Sequence, residues 1–199
     1  VDTRIESNAN THMLFVDGGN NRVGIGTTPD LGVGLHIRTA DSGAATHTSA
    51  DELVIENAGH AGISILSATD STGNIFFLDS GGITGYIQYD QNTNAYDFGT
   101  NGSTRLRIDA SGTVMVGKTT PSVLDVGFEA RATGIVGIAS SASATISYFN
   151  RISADGVLLG LYQAGSEEGN ISVSGTTVSY NAFTGSHWSR LADNSKPTI

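Results

Sequence analysis

The sequence predicts an all-β protein on three observations. Across 199 residues, no window of about a dozen places apolar residues at the i, i+3, i+4, i+7 spacing of an amphipathic helix. Short apolar or alternating runs recur along the whole chain instead, separated by Asp-Gly, Asn-Gly and Ser-Gly turn signals. Glycine supplies 26 residues, about 13% against a usual share of about 7%, while prolines number only three.

The elements follow in order. Runs around 15–16 and 22–25 flank the turn Asp17-Gly18-Gly19-Asn20, and a short strand at 35–38 ends in Arg38. Strands are predicted at 53–56, 63–66, 75–78, 86–89 and 96–98, with turns at 70–73 and 79–82. Asn101-Gly102 then turns the chain into 105–108, where alternation puts Leu106 and Ile108 on one face and Arg105 and Arg107 on the other. Ser111-Gly112 leads to 114–116, followed by 128–131, 135–138 and 145–149. Asp155-Gly156 precedes the last three runs, at 157–162, 171–173 and 178–180. A globular chain of this length buries roughly 70% of its unfolded surface, but strands this short each need a neighbouring sheet or chain.

Charge and composition exclude several functions. Ten Lys and Arg stand against nineteen Asp and Glu, a net charge of −9, with no basic cluster to neutralise phosphates. Nucleic acid and anionic membrane surfaces are therefore not expected partners. No apolar run approaches the roughly 20 residues of a membrane-spanning helix, and residues 1–10 lack the basic and apolar regions of a signal peptide. Without cysteine there is no disulfide framework and no thiolate zinc site. The absence of an initiating Met predicts a piece of a longer protein.

Internal repetition is the most informative feature. Phe15-Val16-Asp17-Gly18-Gly19-Asn20-Asn21-Arg22-Val23-Gly24-Ile25-Gly26-Thr27-Thr28-Pro29 recurs as Arg107-Ile108-Asp109-Ala110-Ser111-Gly112-Thr113-Val114-Met115-Val116-Gly117-Lys118-Thr119-Thr120-Pro121. Asp17 and Asp109 are 92 residues apart, as are Pro29 and Pro121. Each copy reads as strand, turn, short strand and Thr-Thr-Pro stop, and each is followed by a strand with an arginine, 35–38 or 128–131. The chain divides accordingly into a first repeat module (1–43), a β-rich insert (44–104), a second repeat module (105–134) and a C-terminal β-rich region (135–199).

These strings resemble those that punctuate the tail fibres and tailspikes of tailed bacteriophages. The stretches at 50–57, 62–66 and 85–90 are similar to the insert between such strings, so the resemblance covers most of 12–121. Residues 169–181 look like the last fibre strand before the intramolecular chaperone domain of endosialidase-type tailspikes. That family's junction reads Ser-Asp-x-Arg-Leu-Lys; here Arg190-Leu191 matches, while His187 and Trp188 stand at the serine and aspartate positions. The resemblance implies an elongated homotrimeric β-rich fibre, a triple β-helix, a β-prism or small sandwich-like head modules. It implies a virion protein of the phage tail, outside the cell, bound to other tail proteins and to a bacterial surface glycan or receptor. Strands too short to close their own core fit such a trimer physically, with chain exchange in place of disulfides.

Candidate chemistry is sparse. Gly112-x-x-x-x-Gly117-Lys118-Thr119 matches a phosphate-loop pattern, but its middle is a strand-forming run, no helix follows, and the sister copy lacks the lysine. Lys118 is expected as a solvated turn residue. The histidines (His12, His36, His47, His60, His187) have no metal-ligand spacing and are expected on the surface or a trimer axis, so no metal and no cofactor is predicted. Glu167-Glu168, the adjacent acidic pair, is expected in a solvated hairpin turn; Asp70, Asp79 and Asp90 could converge, though nothing in the sequence selects them. No catalytic residue is predicted. Tyr86, Tyr89, Tyr96, Tyr162, Tyr180 and Trp188 offer flat faces to sugar rings, set against a packing role for each. Tyr162 and Trp188 are the receptor-contact candidates. The predicted function is structural and receptor-binding; the alternatives are a tailspike depolymerase that cleaves a surface polysaccharide and a bacterial surface adhesin.

Overall fold

The computed structural model describes residues 1–143 and 145–182. Those residues form strands, turns and loops with no helix. The first sheet has the order β1 (Thr3–Ile5), β2 (Leu14–Asp17), β3 (Arg22–Ile25), β4 (Leu35–Arg38), β5 (Leu53–Glu56). The second comprises β6 (Thr72–Asp79), β7 (Gly82–Asp90), β8 (Ala95–Thr100), β9 (Ser103–Ile108), β10 (Val114–Val116), β11 (Gly127–Ala130) and β12 (Val136–Ala139), in sequential order. The third is the meander β13 (Gly156–Gln163), β14 (Ser166–Ser174), β15 (Thr177–Asn181). None closes into a barrel. The chain clusters into two compact units, Val1–Ile75 with Gln88–Asn92, and Phe76–Ile87 with the described residues from Thr93 on. The sheets draw strands from both sides of the module divisions: β5 of the insert joins the first sheet, and β12 of the C-terminal region joins the second.

Two expected strands make no ladder. Residues 63–66 and 145–149 alternate as strands do, yet Ile63, Ile65, Leu66, Ile146, Tyr148 and Phe149 are exposed in irregular chain. Alternation selects a strand only where a partner offers hydrogen bonds, and among the described residues no segment pairs with either run. Conversely, β1 was not anticipated; pairing with β2 orders it.

The repeated hairpin folds alike in both copies. Leu14 faces Ile25 and Val16 faces Val23 in β2–β3; Leu106 faces Val116 and Ile108 faces Val114 in β9–β10. Asp17 Oδ1 accepts the amides of Gly19 and Asn20, and Asp109 Oδ1 accepts those of Ser111 and Thr113. This is why each turn begins with aspartate: its side chain stands in for a backbone acceptor. The first turn places Asn21, rather than either of its glycines, in the left-handed region at φ +57°. The copies then diverge, since β4 runs parallel to β3 whereas β11 runs antiparallel to β10.

Register sorts the side chains sharply. One face of the first sheet carries Thr3, Val16, Val23, Leu35 and Leu53 in one row and Ile5, Leu14, Ile25, Ile37 and Ile55 in the next. One face of the second carries Tyr96, Ile108, Val114, Ala130 and Val136, then Phe98, Leu106, Val116, Phe128 and Ile138. These are the open faces: Ile5, Val16, Ile25, Leu53, Tyr96, Phe98, Val116, Val136 and Ile138 are all exposed. The opposite faces are the covered ones; they carry the charged side chains, such as His36, Glu56, Asp97 and Glu129, together with the buried Phe15, Val54 and Met115. In the first sheet the Thr27-Thr28-Pro29 loop closes over Gly24, where a Cβ would lie 2.9 Å from Pro29 Cδ and would meet the Thr27 carbonyl. In the second, a Cβ on Gly137 would lie 3.3 Å from Val123 of the loop that follows β10.

Among the described residues the apolar core is small: the buried apolar side chains are Phe15, Pro29, Val54, Ala95 and Met115.

Candidate functional site

Buried ionic clusters hold the covered faces. In the first sheet His36, with no exposed surface, sits between two carboxylates: its Nε2 donates to Glu56 Oε2 at 3.0 Å, and its Nδ1 lies 3.4 Å from Asp30 Oδ1. Glu56 Oε1 accepts the Ser42 amide at 2.7 Å and the Ser42 hydroxyl at 2.8 Å, while Arg38 bridges Glu56 at 3.7 Å and Asp30 at 2.9 Å. The Ser42 amide is the largest cause holding the Glu56 carboxyl down at about 2; burial opposes it, and the Ser42 hydroxyl, His36 and Arg38 reinforce it. The cluster ties β4 and β5 to the loops at 26–34 and 39–52.

The second repeat builds a counterpart from different residues. Glu129, on β11 at the place His36 holds on β4, is fully buried and meets Lys118 Nζ at 2.8 Å and Arg131 Nη2 at 2.6 Å, and it accepts the Ser122 amide at 2.8 Å. Lys118 is the chief cause of its lowered pKa. Lys118 is thus a buried ion-pair partner, only 6% exposed, and not a solvated turn residue. It also donates to the Ser122 carbonyl at 2.6 Å, which commits it to the loop and leaves the phosphate-loop pattern without a cradle: Val114–Val116 is strand β10. His36 likewise corrects the expectation of surface or axial histidines; a strand residue on a face closed by its own loop is buried whatever its polarity. His47 and His60 are exposed, His12 packs on Phe15 at 5.1 Å between ring centres, and His187 lies outside the described residues. These clusters fix loops to the sheets, with Glu56 and Glu129 buried and Asp30 55% exposed.

The carboxylates considered for catalysis each serve their own turn. Asp79 accepts the Gly81 amide, Asp90 that of Asn92, and Asp70 the Ser71 hydroxyl. Among the described residues no group of three or more His, Cys, Asp or Glu is placed to hold a metal ion.

The exposed polar chemistry that does converge lies on the third sheet, around Tyr162. Trp188, the other predicted contact residue, lies outside the described residues. Tyr162 is 64% exposed and sits two residues before the tight β13–β14 turn at Ala164-Gly165, both with positive φ. Its hydroxyl donates to Glu167 Oε2 at 3.2 Å, a bond that is the chief cause raising the phenol pKa above its ordinary value of 10.0. Glu167 Oε1 accepts from Asn170 Nδ2, and Asn181 Nδ2 donates to Asn170 Oδ1 at 2.7 Å and to Ser172 Oγ at 2.8 Å. One network thus crosses all three strands.

A β-bulge makes this possible. In a regular strand Glu167 and Asn170, three apart, would point to opposite faces. The register shifts between Leu161 and Tyr162, pairing Tyr162 with Glu167 and Gly160 with Asn170, so both side chains share the tyrosine's face. Glu167 and Glu168 accordingly stand in β14 and not in the turn itself, both exposed. Gly160 completes the arrangement: a Cβ there would lie 2.7 Å from Tyr162 Cε2, so the ring lies down on bare backbone. The other tyrosines differ. Tyr86 covers Gly99 and bonds Thr104 Oγ1 at 2.7 Å, and Tyr96 stands in the open apolar ladder beside Phe98. No family model, curated protein or solved structure matches this chain.

Proposed function

We propose that the chain is a segment of a phage-type tail fibre, homotrimeric, which attaches a virion to a glycan or protein of the bacterial surface without covalent chemistry. One observation carries the reading: both copies of the fibre-like repeat build a sheet whose charge-bearing face is closed by its own loops, while the largely apolar other face has five of its ten positions exposed and five half-buried. An exposed patch on a soluble monomer seldom exceeds a few hundred Å². Covering these ladders with the same ladders of two sister chains would form a core on the shared axis. The unpaired strand-like segments at 63–66 and 145–149 fit the same arrangement, as ladders that a sister chain completes.

Light scattering on the 199-residue protein, with adsorption to a panel of intact bacteria, tests the proposal. The expected result is a mass three times 20.5 kDa and saturable binding to some strains. A 20.5-kDa monomer with full β signal would sink the trimer, and failure to adsorb to every strain would sink attachment.

A further inference from the structure

We propose that the exposed face of the third sheet around Tyr162 is a binding site for a sugar ring; this rests on the attachment reading above and gives it a place and a ligand class. The third sheet is two-sided. One face carries Leu159, Leu161, Ile171, Val173, Val178 and Tyr180, an apolar set like the ladders of the other two sheets. The other carries Gly160, Tyr162, Glu167, Asn170 and Asn181. If the apolar face turns toward sister chains, the polar face is the one left to meet a partner from solution.

Its chemistry suits a pyranose. A sugar ring has an apolar C–H face and a rim of hydroxyls that each donate and accept. Tyr162 offers a flat ring whose inner side rests on Gly160 and whose outer side is open. Beside it stand a carboxylate that only accepts and two amides that do both, the set that hydroxyls need. The groups are already linked to one another, so their rotamers are largely ordered before a ligand arrives and less entropy is lost on binding. The sugar would stack on the outer face of Tyr162 and exchange hydrogen bonds with Glu167, Asn170 and Asn181.

The test is binding of the 199-residue protein to an array of oligosaccharides from bacterial lipopolysaccharides and capsules. The parent is expected to bind at least one, and Tyr162→Ala to bind it about tenfold more weakly through loss of the stacking face. Gly160→Ala touches no ligand but displaces the ring, and it is expected to weaken binding comparably; Tyr162→Phe, which keeps the face and loses the bond to Glu167, weakens it by less. Circular dichroism and mass are expected to be unchanged, since Tyr162 is mostly exposed. Saturation-transfer NMR on the bound sugar should place its ring protons against Tyr162. A parent that binds no sugar, or variants at 160 and 162 that bind as the parent does, overturns the site. In either case continued adsorption to bacteria leaves attachment standing, whereas loss of adsorption by the parent removes both.

Discussion

Replacing Ile25 by aspartate tests whether the apolar ladders are chain-chain interfaces. Ile25 lies in the second row of the first ladder, between Leu14 and Ile37, and is 41% exposed. Full burial of an isoleucine is worth about 1.5–3 kcal/mol, so covering the remaining fraction is worth about 0.6–1.2 kcal/mol per chain and about 2–4 kcal/mol per trimer. Ile25→Asp forfeits that and forces an unpaired carboxylate out of water in each chain, at several kcal/mol apiece. In the separate chain the same carboxylate keeps its water, and the fold should lose about 0.9–1.8 kcal/mol, the worth of the part of Ile25 already covered there. The assay is size-exclusion chromatography with light scattering over a dilution series, beside Thr176→Asp in the exposed β14–β15 turn as a control of equal charge. The expected outcome is a trimeric parent and control and a monomeric, still β-rich Ile25→Asp chain. If Ile25→Asp holds the parent's mass at every concentration, the ladder is not the interface.

Three further outcomes follow from the covered faces. The Glu56 carboxyl sits at about 2 when folded against an ordinary 4.5, so it stabilises the fold fully above the ordinary value and loses that contribution as pH falls toward 2; Glu56→Gln should flatten the acid limb of an unfolding titration followed by circular dichroism. Lys118→Met leaves the buried Glu129 carboxylate with Arg131 as its one cationic partner and should lower the melting temperature, and adding Glu129→Leu, which removes the charge as well, should recover part of the loss; a double variant as unstable as the single one would refute the pairing. Gly24→Ala drives a methyl into the Thr27-Thr28-Pro29 loop and should destabilise by about 1–3 kcal/mol in denaturant, whereas Gly62→Ala, with open space around its Cβ, should stay within about 0.5 kcal/mol.

Much of the fold was legible because a strand writes its faces into its sequence. The alternation in 105–108 separates Leu106 and Ile108 from both arginines, and β9 does so in the structure. The Asp17 and Asp109 turns were legible too, since an aspartate two residues ahead of a turn amide needs no distant partner. The network around Tyr162 was not legible: Glu167 reaches the tyrosine's face only through a bulge, and a bulge is a property of two strands paired together. Lys118 and His36 were misjudged because nothing local reveals which loop will close over a strand.

Sequence alone determined that the chain is all-β, where its hairpins turn, that a module occurs twice, and which residues share a face, because each of these depends on a period of two or on a few adjacent residues. Only the tertiary structure decided which face of the first two sheets is covered, and it covered the one that carries the charges. It also decided that Leu35–Arg38 runs parallel to its neighbour while the equivalent Gly127–Ala130 runs antiparallel. The physical reason is the same in both cases: a two-residue period presents the same two faces in either strand direction and to either side. The choice therefore falls to long-range hydrogen bonding and to the loops that satisfy the buried carboxylates of Glu56 and Glu129.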